Sequence, residues 1–299
     1  MRVAALLPAA TDIVLALGAA ERLVAVTHAC TLPGGLAEVP RVTRSRVPVA
    51  GAGATDRAVR ELSGAGTAMF DLDVARLVAL NPEVLLTQAV CDVCAVGEDE
   101  VRAVAARLAP PRHVLALGAD TVEGVLADIT AVGAALDLGD EAGELVMGLR
   151  VRMRNVHETL KAARAPRPGV ALLEWTEPPF SAGHWVPDII RRAGGEELIG
   201  RTGQRSRRID ADELRALEPE VVMVAPCGYG LAAAVSEVEA LQRSGARSWL
   251  GARPVWVIDA NRLVSSPGPS VVRAIEVIAQ VLHPGLFGPP SPSDAVLIA

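Results

Sequence analysis

Leu77-Val78-Ala79-Leu80-Asn81-Pro82-Glu83-Val84 and Leu214-Arg215-Ala216-Leu217-Glu218-Pro219-Glu220-Val221 are two copies of one phrase. Each runs on into an apolar stretch, Leu85-Leu86 in the first copy and Val222-Met223-Val224 in the second. Proline cannot continue a helix and restricts the residue before it, so a short helix stops there and the run that follows is a buried strand. A second echo points the same way. Val3-Ala4-Ala5-Leu6-Leu7 leading to Asp12-Ile13-Val14 and Gly18 resembles Val170-Ala171-Leu172-Leu173 leading to Asp188-Ile189-Ile190 and Gly194. Both read as a buried parallel strand, a loop, and a helix that ends at glycine.

Two similar halves follow. Strands are expected at 2–7, 23–27, 84–88 and 113–117, and again at 169–174, 221–225 and 255–259, with helical patterns between most of them. This alternation argues an α/β fold with a doubly wound parallel sheet in each half. Asp120 with Glu123 can cap one helix running to about Leu136, and Asp140 can cap a second. The second carries Leu145, Leu149, Met153, Val156 and Leu160 on one face and stops at Pro166-Arg167-Pro168. Its length of about 38 Å, at 1.5 Å per residue, suits a rigid connector. The expected organisation is an N-terminal lobe over 1–119, connecting helices over 120–165, a C-terminal lobe over 166–285 and a tail over 286–299.

Composition narrows the function. The 299 residues are 51% apolar, with 29 basic against 35 acidic side chains and a net charge of −6. That balance offers no footprint for nucleic acid or an anionic membrane. No apolar run reaches the ~18 residues of a membrane span. The first twenty residues imitate a secretory signal, but the echo at Val170 makes them the first strand of a fold. The expected location is therefore the cytoplasm, or the periplasm or cell exterior if the true start lies upstream.

In open parallel sheets ligands bind beyond the carboxyl ends of the strands. The loops there hold Pro8 and Thr11, His28 and Cys30, and Gln88 followed by Cys91-Asp92-Val93-Cys94. In the other half they hold Glu174-Trp175, Phe180, Gly183-His184-Trp185 and Cys227-Gly228-Tyr229. The chain has only four Trp, three Phe and one Tyr, so aromatics gathered in one half suit a flat, partly apolar ligand rather than core filling. The alternative is that one or two of these Trp cap the lobe interior. Cys91 and Cys94 could hold zinc or iron with Cys30, His28 or Cys227, could act as a redox dithiol, or could be inert buried thiols. Arg201, Arg205, Arg207 and Arg208 form a basic cluster that either holds ligand carboxylates or phosphate or is a solvated loop. Gly51-Ala52-Gly53 lacks the third glycine of a dinucleotide fingerprint.

Taken together, Pro8-Ala-Ala-Thr11-Asp12-Ile13, His28-Ala-Cys30, Thr87-Gln88, Cys91-Asp-Val-Cys94-Ala95-Val96, Gly183-His184-Trp185-Val186-Pro187, Pro226-Cys227-Gly228 and Pro267-Gly268-Pro269 resemble the cobalamin-binding-protein branch of the iron-siderophore and cobalamin substrate-binding superfamily. The resemblance spans residues 2 to about 285. It implies two α/β lobes joined by a rigid helix, with cobalamin, a related corrinoid or a similar metal chelate held in the cleft. The expected ligand-binding residues, from the loops past the strand ends, are Pro8, Thr11, His28, Gln88, Trp175, Phe180, His184, Trp185 and Tyr229, with Cys30, Cys91, Cys94 and Cys227 as metal candidates.

Three departures argue against docking to a transporter permease. No export signal is read. The exposed docking Glu of each lobe falls here on Ala75 and Asp212. The family's Arg-flanked Pro-Gly-Pro becomes Ser266-Pro-Gly-Pro-Ser270. The expected function is thus a non-exported carrier or sensor. The alternatives are a Cys/His metal enzyme or redox protein on the same scaffold, and an importer's substrate-binding component whose start has been misplaced.

Overall fold

The computed structural model describes residues 1–48, 51–89, 96–108, 110, 112–244 and 255–298. The chain divides into two compact units. The first comprises Met1–Ala50, Ala54–Ala119 and Glu123–Met147; the second comprises Gly51–Gly53, Asp120–Val122 and Gly148–Ala299.

The elements up to Ala135 are β1 (Val3–Ala5), α1 (Pro8–Ala16), β2 (Leu23–Val26), β3 (Thr43–Ser45), α2 (Ala52–Gly64), β4 (Phe70–Leu72), α3 (Val74–Leu80), β5 (Val84–Gln88), α4 (Glu98–Ala105), β6 (His113–Leu117) and α5 (Val122–Ala135). The first unit's main sheet has the order β2-β1-β5-β6, and every neighbouring pair is parallel. Val3-Ala4-Ala5 is an interior strand with no exposed residue, so the stretch that mimics a leader is built into the sheet. Pro8 opens α1, where its missing N–H costs nothing and its fixed φ is already helical. Ala4, Leu6, Ala25, Leu77, Leu85, Val101 and Val104 pack one face of this sheet into a continuous core.

The helix α6 (Gly139–Ala162) starts in the first unit and runs without interruption into the second. Ala142, Leu149, Met153 and Val156 are its buried positions, while Leu145 and Leu160, expected on the same face, are half-buried. Asp140 lies inside its first turn rather than at its cap, because the helix already begins at Gly139; there the carboxylate opposes the positive end of the helix dipole. The start of α5 is held from elsewhere in the sequence, since the N–H of Val122 donates to Asp188 Oδ2 at 3.1 Å.

The second unit continues with β7 (Gly169–Thr176), β8 (Pro179–Ser181), α7 (Val186–Arg192), β9 (Glu196–Glu197), α8 (Ala211–Ala216), β10 (Val221–Val224), α9 (Leu231–Ser244), β11 (Val255–Ile258), α10 (Ala260–Leu263), α11 (Ser270–Leu282), α12 (Pro284–Phe287) and β12 (Ala295–Ile298). Its sheet has the order β12-β11-β10-β7-β8, with β9 also paired to β7. The central strands β11, β10 and β7 are parallel, while β12 and β8 add antiparallel edges. The stretch read as a tail therefore contains a sheet strand. It escaped sequence reading although Ala295-Val296-Leu297-Ile298 is apolar, whereas β3, β4, β8 and β9 escaped because such short strands carry no long apolar run.

The two copies of the opening phrase share a backbone. Asn81 and Glu218, each just before its proline, have φ of 45° and 47°. The left-handed residue ends the helix and the proline carries the chain into β5 or β10.

Glu197 in β9 is a buried ionisable group. Its Oε1 accepts the N–H groups of Ile199 (3.1 Å) and Gly200 (3.0 Å), whereas Oε2 is enclosed without a hydrogen-bond partner. Burial pushes its carboxyl up to about 7, against the opposing pull of the backbone N–H groups of Gly200, Ile199 and Leu172. Below the ordinary glutamate range both folded and unfolded chains are protonated here. As pH rises toward 7 the unfolded chain ionises first, so stability falls, by ~3 kcal/mol at ~1.4 kcal/mol per pH unit. Glu197→Gln is expected to flatten this decline, so that urea denaturation finds the variant more stable than the parent at pH 8 and nearly equal to it at pH 4.

Candidate functional site

The strand ends of the second unit converge on Glu174, near the end of β7. Its Oε2 accepts the N–H of Gly183 at 3.1 Å, its Oε1 accepts the hydroxyl of Ser206, and its backbone carbonyl accepts the N–H of Cys227 at 2.9 Å. One residue thus fastens three loops. Trp175 follows directly, and its ring meets that of Tyr229 edge to face, with centroids 5.6 Å apart at 82°. An irregularity between Leu173 and Trp175 shifts the register so that Trp175 pairs with Phe180 of β8. The indole Nε1–H of Trp175 is buried with no hydrogen-bond partner among the described residues. An enclosed, unpaired donor of this kind costs about 1–3 kcal/mol.

His184 and Trp185 stand beside this group. Their rings lie 5.8 Å apart, tilted by 31°. Trp185 is anchored, its Nε1–H donating to the carbonyl of Val264 at 2.8 Å. His184 adopts φ of 52°, a conformation uncommon for a residue with a side chain. Two backbone bonds hold it there: its N–H donates to Gln204 at 2.7 Å, and its carbonyl accepts the N–H of Gly203 at 3.0 Å. Burial lowers the pKa of the imidazole, the Arg205 charge lowers it further, and Asp120 opposes them. These shifts favour the uncharged ring, which makes no side-chain hydrogen bond among the described residues. A neutral imidazole is the form that ligates a metal.

The first unit holds a second polar group. Thr43 Oγ1 lies 2.8 Å from His28 Nδ1 and 2.8 Å from Thr27 Oγ1, and it accepts the backbone N–H of His28 at 2.9 Å. Phe70 packs against the His28 ring with centroids 5.5 Å apart. A single nitrogen of Arg41, Nη1, donates to the carbonyls of Thr27, His28 and Cys30 at 2.9–3.1 Å and so gathers the loop around itself. Burial, then the Arg41 charge, lowers the His28 pKa. Thr11 Oγ1 lies 3.1 Å from Cys30 Sγ, and burial pushes that thiol up, which disfavours the thiolate needed for metal binding.

Of the expected site residues, the structure brings Trp175, Phe180 and Tyr229 together, pairs His184 with Trp185, and joins Thr11 to Cys30. Pro8 heads α1 and Gln88 is the last, buried residue of β5. Cys227 is exposed. Cys91 and Cys94 lie outside the described residues. Among the described residues no group of three or more His, Cys, Asp or Glu is placed to hold a metal ion. Sequence reasoning missed Thr43, Phe70 and Arg41, which lie in or beside the short pair β3–β4, and Ser206, whose role depends on a contact 32 residues away.

The loops are packed tightly. A Cβ on Gly183 would stand 2.4 Å from the backbone nitrogen of Ser206. Gly183→Ala is therefore expected to push the 201–206 loop away from Glu174 and cost ~1–3 kcal/mol, read as a lowered urea midpoint.

Comparisons with known proteins agree with this architecture. A search of the curated proteins gives no match. Among solved structures, a periplasmic heme-binding protein from Pseudomonas aeruginosa superposes with a TM-score of 0.73 at 21% identity, over 100% of this chain and 98% of the other. The periplasmic vitamin B12-binding protein BtuF of Vibrio cholerae gives 0.65 at 17% identity, over 94% and 96%. The periplasmic heme-binding protein RhuT from Roseiflexus sp. RS-1 gives 0.68 at 18% identity, over 96% and 98%. At these identities the likeness speaks for the fold. The profile of the family described as Periplasmic binding protein matches residues 3–256, and the chain belongs to that family.

Proposed function

We propose that this chain is a binding protein for a flat metallated macrocycle, a corrinoid or a porphyrin-like chelate, and acts as a carrier or sensor rather than an enzyme. The observation that carries this reading is His184: a half-buried imidazole without a side-chain hydrogen-bond partner among the described residues, beside the anchored ring of Trp185, with burial favouring its uncharged form. Such a nitrogen can ligate the metal of a chelate while aromatic rings cover its face. Trp175, Phe180 and Tyr229 supply further apolar surface. A large aromatic ring buries 150–250 Å² in general, so at ~25 cal/mol per Å² a few half-covered rings contribute several kcal/mol. Family membership supports a small-molecule ligand. The similar folds include proteins whose names record heme and vitamin B12. Within the first unit, His28, Thr11, Pro8 and Gln88 are the residues proposed to contact ligand.

Titration with hydroxocobalamin and with ferric protoporphyrin, followed by absorbance and co-elution, tests the reading. A spectral shift with at least one of them is expected, and His184→Ala should weaken or abolish it. No shift and no co-elution with either would overturn the proposal.

A second reading, the substrate-binding component of an importer, draws on the periplasmic description of the similar structures. Against it stand the positions expected to dock a permease. Ala75 and Asp212 are each the second residue of their helix, α3 and α8, so the repeat aligns them. Only Asp212 carries a carboxylate, and it forms an ion pair with Arg215. No helix among the described residues is long and apolar enough to cross a membrane. On the carrier reading, osmotic-shock fractionation of cells expressing the native gene leaves the protein with cytoplasmic markers; its release with periplasmic markers would transfer the protein to the importer role.

A further inference from the structure

The basic cluster at 201–208 is resolved by the strand register. The backbone N–H of Ser181 donates to Arg207 at 2.9 Å and that of Ile209 donates to Pro179 at 2.9 Å, which makes Phe180 and Arg208 a directly opposed antiparallel pair of the non-hydrogen-bonded kind. In such pairs the side chains lie on the same face and come closest. Phe180 in turn is opposed by Trp175, whose ring meets Tyr229. The result is one row across the strands: Tyr229, Trp175, Phe180, Arg208.

Arg207 and Arg208 point to opposite faces, as neighbours on a strand do. Arg207 is spent on Glu213 of α8, which it grips with both terminal nitrogens. Arg208 is exposed, and its guanidinium makes no hydrogen bond or ion pair among the described residues. Arg191, Arg192, Arg207, Arg215, Arg262 and Arg273 of the same unit all have carboxylate partners. Among the described residues Arg208, like Arg201 of the same cluster, has no carboxylate partner, and Arg208 is the one that stands at the end of the aromatic row.

We infer that this row recognises a flat macrocycle carrying a free carboxylate on its rim, with the ring over Trp175 and Phe180 and the carboxylate on Arg208. The planar guanidinium fork matches a carboxylate with two parallel hydrogen bonds and gains little from a neutral amide or ester. This deepens the proposed function and rests on it. It divides the two ligand classes that the function leaves together, favouring a macrocycle with ionised side chains over one whose rim carries amides.

The test compares ferric protoporphyrin IX, its dimethyl ester and hydroxocobalamin on the full chain, each in the same low concentration of neutral detergent. Parent, Arg208→Gln and Arg215→Gln proteins are titrated, the last removing an equal charge from an exposed position outside the row. The parent is expected to bind the diacid about tenfold more tightly than the ester, a difference of the size given by a charge-assisted hydrogen bond. Arg208→Gln should erase that preference and leave ester binding unchanged, while Arg215→Gln keeps it. Equal affinity for diacid and ester overturns the inference, as does a preference that survives Arg208→Gln or is lost equally in Arg215→Gln. So does binding of hydroxocobalamin alone, although the proposed function then stands. Failure of all three ligands to bind removes the proposed function itself.

Discussion

Glu174 is the constraint on which the second unit's strand-end surface depends. A parallel strand delivers its last residues to one edge of the sheet, but the loops that follow have no ladder to hold them. Here a single carboxylate accepts from Gly183 and Ser206 while the same residue's carbonyl accepts from Cys227. The three loops so joined carry His184, Trp185, Arg205 and Tyr229. Glu174 is a half-buried residue with both carboxylate oxygens hydrogen-bonded, whereas Glu197 has one carboxylate oxygen enclosed without a hydrogen-bond partner. Position, more than residue type, decides which carboxylate organises and which one strains.

The first unit solves the same problem with the opposite charge. Arg41 collects three carbonyls of the 27–30 loop, those of Thr27, His28 and Cys30, and Thr43 orders the His28 ring from the adjoining strand. In both units the pKa of a histidine is lowered for the same two reasons, burial first and a nearby arginine second. The duplication visible in the repeated phrase around Pro82 and Pro219 therefore extends to the electrostatics of the strand ends, although the residues that achieve it differ.

Much of the fold was legible because parallel strands covered on both faces read as continuous apolar runs. The strands β5 and β6 begin and end where the sequence places them, at 84–88 and 113–117. The edge strands were not legible. Thr43-Arg44-Ser45 and Pro179-Phe180-Ser181 are short and partly polar, and their strand character comes from partners far along the chain. The candidate site divides in the same way. Trp175, Phe180, His184, Trp185 and Tyr229 could be picked out as rare residue types past strand ends. Thr43, Arg41, Ser206 and the placement of Arg208 could not, since hydroxyls and guanidiniums are common on surfaces and only register gives these their meaning. The expected caps fared less well, because Asp188, from a distant helix, holds the start of α5.

The edge contact between Trp175 and Tyr229 has an optical consequence. The chain holds four tryptophans and a single tyrosine. Trp175 and Trp185 sit at the strand ends, Trp256 lies within β11, and Trp249 falls outside the described residues. The one tyrosine is in ring contact with an indole, placed to pass its excitation on, so the intrinsic emission of this protein is dominated by tryptophan. Half of those emitters belong to the surface assigned to a strongly absorbing ligand. The gripping residues are thereby also a built-in reporter, whose quenching registers occupancy without any label.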